Sequence, residues 1–175
     1  MPHLPIGHPG LMSSSVLTEP HRGLPSWLAL LGYAAAVVAV ATIGGVAAGS
    51  SADTYRQVDL PPFAPPSAVF GPVWTVLYAL IALSGWLVWR RVGLDRSMAP
   101  YAVQLVLNAA WTPLFFATGW YGVALVEIVA LVVAVVWTVA AFWPRSRLAA
   151  VLLLPYLAWV GFATALNASI WWLNR

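Results

Sequence analysis

Gln104, Asn108 and Thr112 recur at i, i+4 and i+8 in an otherwise apolar stretch. On a helix this spacing puts three polar side chains on one face, with Trp111 and Phe115 beside them. Tyr156, Trp159, Ala163, Asn167 and Ile170 form a second stripe, about 80° wide at 100° per residue. Trp74 and Tyr78 stand one turn apart in a third stretch. Amide donors therefore alternate with flat aromatic rings on three separate segments. Such faces can stack on a flat, largely apolar ligand while the amides of Asn108 or Gln104 fix its polar edge. The same amides can instead hydrogen-bond between helices, at about 0.6–2 kcal/mol each. Both readings are open at the level of sequence.

Other chemistry lacks its parts. Glu127 is the one acidic residue well inside an apolar stretch. A proton relay needs further ionisable partners at depth, so a structural or ligand-contacting role is expected. All three histidines, His3, His8 and His21, lie ahead of the apolar stretches, and there is no cysteine. Thiolate metal sites and cysteine catalysis are thereby excluded, an axial His ligand for haem or a His-rich zinc site inside the apolar part is not expected, and neither metal nor cofactor is expected. No phosphate loop, Ser-His-Asp set or carboxylate pair is present, so a conventional hydrolase or phosphoryl-transfer enzyme is not expected.

The elements that carry these residues follow from composition. Of 175 residues, 62% are hydrophobic and 7% charged, against about 25% charged in ordinary globular domains. Mean hydropathy is +0.85. These values rule out a disordered chain, a nucleic-acid binder and an ordinary soluble enzyme. Five apolar stretches run over about 27–48, 67–89, 100–118, 120–142 and 148–173. Each is close to the ~20 residues that cross a bilayer as a helix. Open sheet cannot satisfy its backbone in lipid, and the runs are too long for barrel strands. The expected fold is an all-α membrane protein, a five-transmembrane-helix bundle over residues 25–175. Residues 1–24, rich in Pro, Gly, His and Ser, read as a disordered tail without a signal-peptide core.

Two further features orient the bundle. Pro61, Pro62, Pro65 and Pro66 stiffen the longest connection and point to a semi-rigid cover over one end. Arg22, Arg90, Arg91, Arg96, Arg145 and Arg147 fall on the N-terminal side of five spans, Arg56 and Arg175 on the other. The positive-inside rule then puts the N-terminus in the cytoplasm of a cell-membrane protein. Gly45 and Gly49 form a Gly-x-x-x-Gly pair suited to close helix packing or a dimer contact.

The chain resembles the translocator protein family, also called TspO, tryptophan-rich sensory protein or peripheral benzodiazepine receptor. Four blocks carry the likeness: Pro65-Pro66 with Val69-Phe70-Gly71-Pro72-Val73-Trp74 and Leu77-Tyr78; Gln104-Leu105-Val106-Leu107-Asn108 with Trp111; Ala124-Leu125-Val126-Glu127; and Leu154-Pro155-Tyr156-Leu157-Ala158-Trp159 running to Phe162-Ala163-Thr164 and Leu166-Asn167. With the five spans and the Pro-rich loop they cover residues 27–173. The resemblance implies a membrane receptor for porphyrins such as protoporphyrin IX, acting as sensor, regulator or carrier in transport. It also implies isoquinoline and benzodiazepine binding, frequent homodimers, and a pocket formed by all five helices and roofed by the first loop. Tyr55, Phe63, Trp74, Tyr78, Gln104, Asn108, Trp111, Tyr156, Trp159, Ala163 and Asn167 are the ligand-binding positions expected from residue pattern and motif together. An alternative implied by some bacterial members is light- and oxygen-dependent porphyrin degradation, for which Trp74 and Trp159 would be the catalytic pair. Another is a sterol or lipid shuttle. The family loop reads Trp-Tyr, Lys-Pro and Trp-x-Pro-Pro. Here Thr54-Tyr55, Leu60-Pro61 and Phe63-Ala64-Pro65-Pro66 stand in those places, so a cation for a propionate must come from elsewhere, with Arg56 as candidate. No cation follows Tyr156 before Arg175, so the short cholesterol pattern of animal members is absent.

Overall fold

Helices are the only regular structure in the computed structural model of the chain, which describes residues 25–47, 49, 53 and 57–175. The expected tail, residues 1–24, lies outside the described residues, as do Tyr55 and Arg56. Helix α1 spans Ser26–Ala47, α2 Phe70–Val92, α3 Met98–Thr112, α4 Tyr121–Phe142, α5 Arg147–Leu152 and α6 Leu154–Leu173. A 3₁₀ turn, Ser67–Val69, leads into α2, and a π-helical turn, Pro113–Ala117, continues α3. Among the described residues, four segments are long and apolar enough to cross a bilayer: Ser26–Ala47, Ser67–Val92, Tyr121–Phe142 and Arg147–Leu173. The third expected span is α3 with its π turn, 15 residues plus five, which just reaches span length.

Prolines decide where the helices break. Pro113 has no N–H to continue the α ladder, and the chain shifts to wider spacing. Thr118 N–H donates to the Pro113 carbonyl at 3.1 Å, five residues back. Pro155 likewise divides the expected fifth span into α5 and α6, which meet at Leu153. Gly119, at φ +66°, turns the chain sharply enough for α4 to return along α3. Short loops thus give an antiparallel hairpin, as the sequence indicates.

The helices close into a ring. α1 packs on α2 and α3, α3 on α4, α4 on α6, and α2 on α5. At the arginine-rich end the contact is tight: Ser84 Oγ donates to the Ala149 carbonyl at 2.8 Å, and Trp86 Nε1 to the Ser26 carbonyl at 2.8 Å. Ile81, Val88, Ile128, Leu131, Phe142, Tyr156 and Val160 form the centre, each at most 1% exposed. Large aliphatic residues also cover the outside, with Val46, Val106 and Val126 among the most exposed. In water such a surface would drive aggregation, whereas lipid solvates it.

At the opposite end the Pro-rich loop straps onto α6. Asp59 N–H donates to Asn174 Oδ1 at 2.9 Å, and Asn174 Nδ2 returns a bond to the Asp59 carbonyl at 3.0 Å. Phe63 meets Phe162 edge-on at 6.2 Å.

Close approach at Gly85 generates a test. A Cβ there would lie 2.6 Å from the Tyr101 ring, whose hydroxyl donates to the Ile81 carbonyl at 3.1 Å. A Cβ at Gly32 would meet nothing within 4 Å. Gly85→Ala should destabilise the bundle by about 1–3 kcal/mol, as overpacking does, while Gly32→Ala should be neutral or stabilising. Thermal unfolding in detergent of the two variants side by side checks this.

Candidate functional site

A cavity of about 360 Å³ lies between α1, α2 and α3. Ala41, Gly44 and Gly45 form its α1 wall, small enough to leave the space open. Phe70, Gly71, Trp74, Thr75 and Tyr78 line it from α2, and Trp111, Thr112 and Phe116 from α3 and its π turn. Its surface is mostly aromatic and aliphatic. Its side-chain polar groups are the hydroxyls of Thr75, Tyr78, Thr112 and Ser67 and the indole N–H groups of Trp74 and Trp111, and among the described residues no lining residue is charged.

The aromatic wall is built layer by layer. Trp74 lies 5.1 Å from Tyr78 at an interplanar angle of 30°, and meets Tyr156 edge-on at 6.2 Å. Trp111 stacks on Phe115 at 5.2 Å and meets Phe116 edge-on at 6.0 Å. These contacts fix the ring planes before any ligand arrives.

Behind the wall two asparagines hold the helices. Tyr78 Oη donates to Asn108 Oδ1 at 3.1 Å, and Asn108 Nδ2 donates to Tyr156 Oη at 2.9 Å. One amide thereby ties α2, α3 and α6. Trp111 Nε1 donates to Asn167 Oδ1 at 3.3 Å, and Asn167 Nδ2 to the Tyr121 carbonyl at 2.8 Å. This amide ties α3, α4 and α6. Asn108 and Asn167 are therefore interhelical connectors that orient two cavity residues, Tyr78 and Trp111.

The expected ligand-binding residues are distributed as follows. Trp74, Tyr78 and Trp111 line the cavity. Asn108 and Tyr156 stand behind Tyr78. Ala163 and Asn167 line a second, narrow space of about 10 Å³ with Phe70, Trp111, Phe115, Phe116 and Leu166, roughly the room of one water. Trp159 is outside both linings, packed at 5.8 Å on Phe70 and 5.5 Å on Phe162, and its Nε1 has no hydrogen-bond partner among the described residues. Gln104 is 1% exposed, and neither atom of its amide has a partner among the described residues. Phe63 packs on the last helix, held there by the Asp59–Asn174 pair, and is not in the cavity lining. None of residues 57–66 lines the cavity, so the described part of the loop does not roof it.

Phe70, Thr112, Phe116 and the glycines of α1 line the cavity but are not among the expected ligand-binding positions. The signal for Phe70 was present: Phe70, Trp74 and Tyr78 follow one another at i, i+4 and i+8. Thr112 shares the face of Gln104 and Asn108. Phe116 reaches the cavity only through the π turn, which no spacing rule for an α-helix anticipates.

The Asn108 bridge predicts a coupled loss. Asn108→Ala should cost about 1–2 kcal/mol, because two tyrosine hydroxyls lose their partner in an apolar setting. Adding Tyr78→Phe to Asn108→Ala should cost less than Tyr78→Phe alone costs in the native background. Thermal unfolding of the four proteins of this cycle measures the coupling.

Comparison with known proteins gives consistent matches. The model of the TspO/MBR family matches residues 33–173. The chain is 36% identical to the human translocator protein over 153 residues, covering 84% of this chain and 90% of that protein. It is 39% identical to the tryptophan-rich protein TspO of Archaeoglobus fulgidus over 150 residues, 84% of this chain and 97% of that one. It is 35% identical to the tryptophan-rich sensory protein of Cereibacter sphaeroides over 148 residues, 85% and 92% of the two.

Proposed function

The chain belongs to the TspO/MBR family, and from that premise we propose that it binds a tetrapyrrole of the protoporphyrin IX class between α1, α2 and α3. It is a multi-pass membrane protein, and its relatives carry the names translocator and sensory protein. The observation that carries the proposal is the cavity with Trp74 and Trp111 in its wall and no charge among the described residues of its lining. A planar ring system gains most from such a surface, since each aromatic contact adds about 0.5–1.5 kcal/mol to burial of its area. The 360 Å³ of open space lies within the range of small-molecule sites, roughly 300–1,000 Å³. Hydroxyls of Tyr78 and Thr112 supply the few polar contacts, and the carboxylates of a porphyrin stay at the mouth. Isoquinoline and benzodiazepine ligands are smaller flat molecules with the same demands. Binding without an acid–base pair at the ligand suits a sensor, regulator or carrier. The proposal includes a cell-membrane location with a cytoplasmic N-terminus, which the positive-inside rule supports through the arginines at the other end.

Titration of the purified chain with protoporphyrin IX in dim light, followed by tryptophan fluorescence, tests the proposal. Saturable quenching is expected. Trp74→Ala should weaken it about tenfold. Gly45→Leu should abolish it, because the new side chain enters open space in the cavity wall where nothing lies within 4 Å of the Cβ. Absence of saturable quenching, or a Gly45→Leu protein that binds like the native one, would overturn the proposal.

A further inference from the structure

The arginine-rich end carries charge that its own residues do not neutralise. Arg90, Arg91, Arg96, Arg145 and Arg147 gather there, and Asp95 is the one carboxylate among the described residues at that end. Asp95 is occupied: Ser97 N–H donates to its Oδ1 at 2.8 Å, the Ser97 hydroxyl donates to the same oxygen, and Arg145 Nη2 lies 3.6 Å from Oδ2. These hydrogen bonds, with Arg145 nearby, hold the Asp95 carboxyl below the ordinary carboxylate range. Arg91 Nη1 donates to the Arg145 carbonyl at 2.7 Å, and Arg90 stacks over Trp86 at 4.6 Å. Arg147 has neither a hydrogen-bond nor an ionic partner among the described residues.

Three of these cations surround one hollow. A space of about 450 Å³ is lined by Arg91, Arg145 and Arg147, by Ser146, and by Trp143, Pro144 and Leu148. The cations and the apolar groups share the same wall. Trp143 is 48% and Leu148 60% exposed, so both present apolar surface next to the guanidinium groups. The hollow lies at the C-terminal end of α4 and the N-terminal end of α5, the ends of two membrane-length segments, and Trp is enriched where such segments meet lipid headgroups.

We propose that this hollow is a binding site for an anionic phospholipid, with the phosphate between Arg147, Arg91 and Arg145 and the acyl-bearing part against Trp143 and Leu148. Charge complementarity selects an anion, since three guanidinium groups line the hollow and the one carboxylate among the described residues at that end is already paired. Guanidinium forks match phosphate oxygens in geometry. The apolar half of the wall selects a lipid over a free anion, which has nothing to place there. Two arginines are already fixed, Arg91 on a carbonyl and Arg145 on Asp95, so their orientation is set before the headgroup arrives. Arg147 supplies the uncommitted charge and is the residue on which affinity should depend.

The test uses the full chain in neutral detergent, titrated with phosphatidylglycerol or phosphatidylcholine and read by native mass spectrometry and thermal unfolding. Phosphatidylglycerol should be retained and raise the unfolding midpoint; phosphatidylcholine should do neither. Arg147→Gln should weaken phosphatidylglycerol binding about fivefold. Arg175→Gln removes the same charge from the opposite end, where Arg175 stacks on Trp172, and should leave binding unchanged. Arg147 is exposed, so its replacement should leave unfolding without anionic lipid unaltered. Equal retention of both lipids, equal losses in the two variants, or native-like binding by Arg147→Gln would overturn the proposal. Displacement of the lipid by millimolar inorganic phosphate would overturn the lipid assignment in favour of a free-anion site.

Discussion

One side chain, Asn108, is positioned so that much of the bundle depends on it. Its amide accepts from Tyr78 on α2 and donates to Tyr156 on α6 while itself belonging to α3. In lipid, apolar helices gain little from touching one another, because acyl chains solvate them equally well. Directional bonds between polar groups therefore decide which helix sits beside which. Asn167 repeats the device between Trp111 and the Tyr121 carbonyl, joining α3, α4 and α6. The two amides share α3 and α6 and hold the aromatic wall from behind. A site lined by rings with fixed planes follows from connectors that never line it.

The prolines shape the rest. An unbroken third span would keep Phe115 and Phe116 on α-helical spacing. Pro113 forces a π turn, and both Phe115 and Phe116 then pack against Trp111. At the break beside Pro155 α5 ends and α6 begins, and α5 lies closely on α2 through Ser84 and Ala149. Beyond that contact, α2 and α6 are joined by large rings, Phe70 with Trp159 and Trp74 with Tyr156. The rings thereby become a partition. Phe70, Trp111 and Phe116 border both the large cavity and the narrow space beside Ala163.

The two ends of the bundle are built on different physics. One is held by charge: Asp95, Arg91 and Arg145 link the α2–α3 loop to the α4–α5 loop. The other is held by a neutral strap, with Asp59 and Asn174 exchanging backbone and amide bonds under a proline-stiffened loop. Such asymmetry fits a protein that meets different aqueous phases at its two ends.

Residue types alone determined that this chain is helical and embedded in lipid. Runs of about 20 apolar residues have no other way to satisfy their backbone there, and Pro, Gly and Arg marked the ends. The family blocks led to Trp74, Tyr78 and Trp111, and helical spacing put Gln104, Asn108 and Thr112 on one face. Tertiary structure decided what each of those residues does. Spacing says which side chains share a face, but not which face opposes them. Asn108 and Asn167 thus became connectors, because tyrosine and tryptophan partners from other helices reached them first. Trp159 fell behind Phe70, and Phe63 was drawn to α6 by a strap whose partner lies 115 residues away in sequence. The cavity itself is an absence of side chains beside Gly44 and Gly45, and an empty volume has no sequence pattern until the walls around it are assembled.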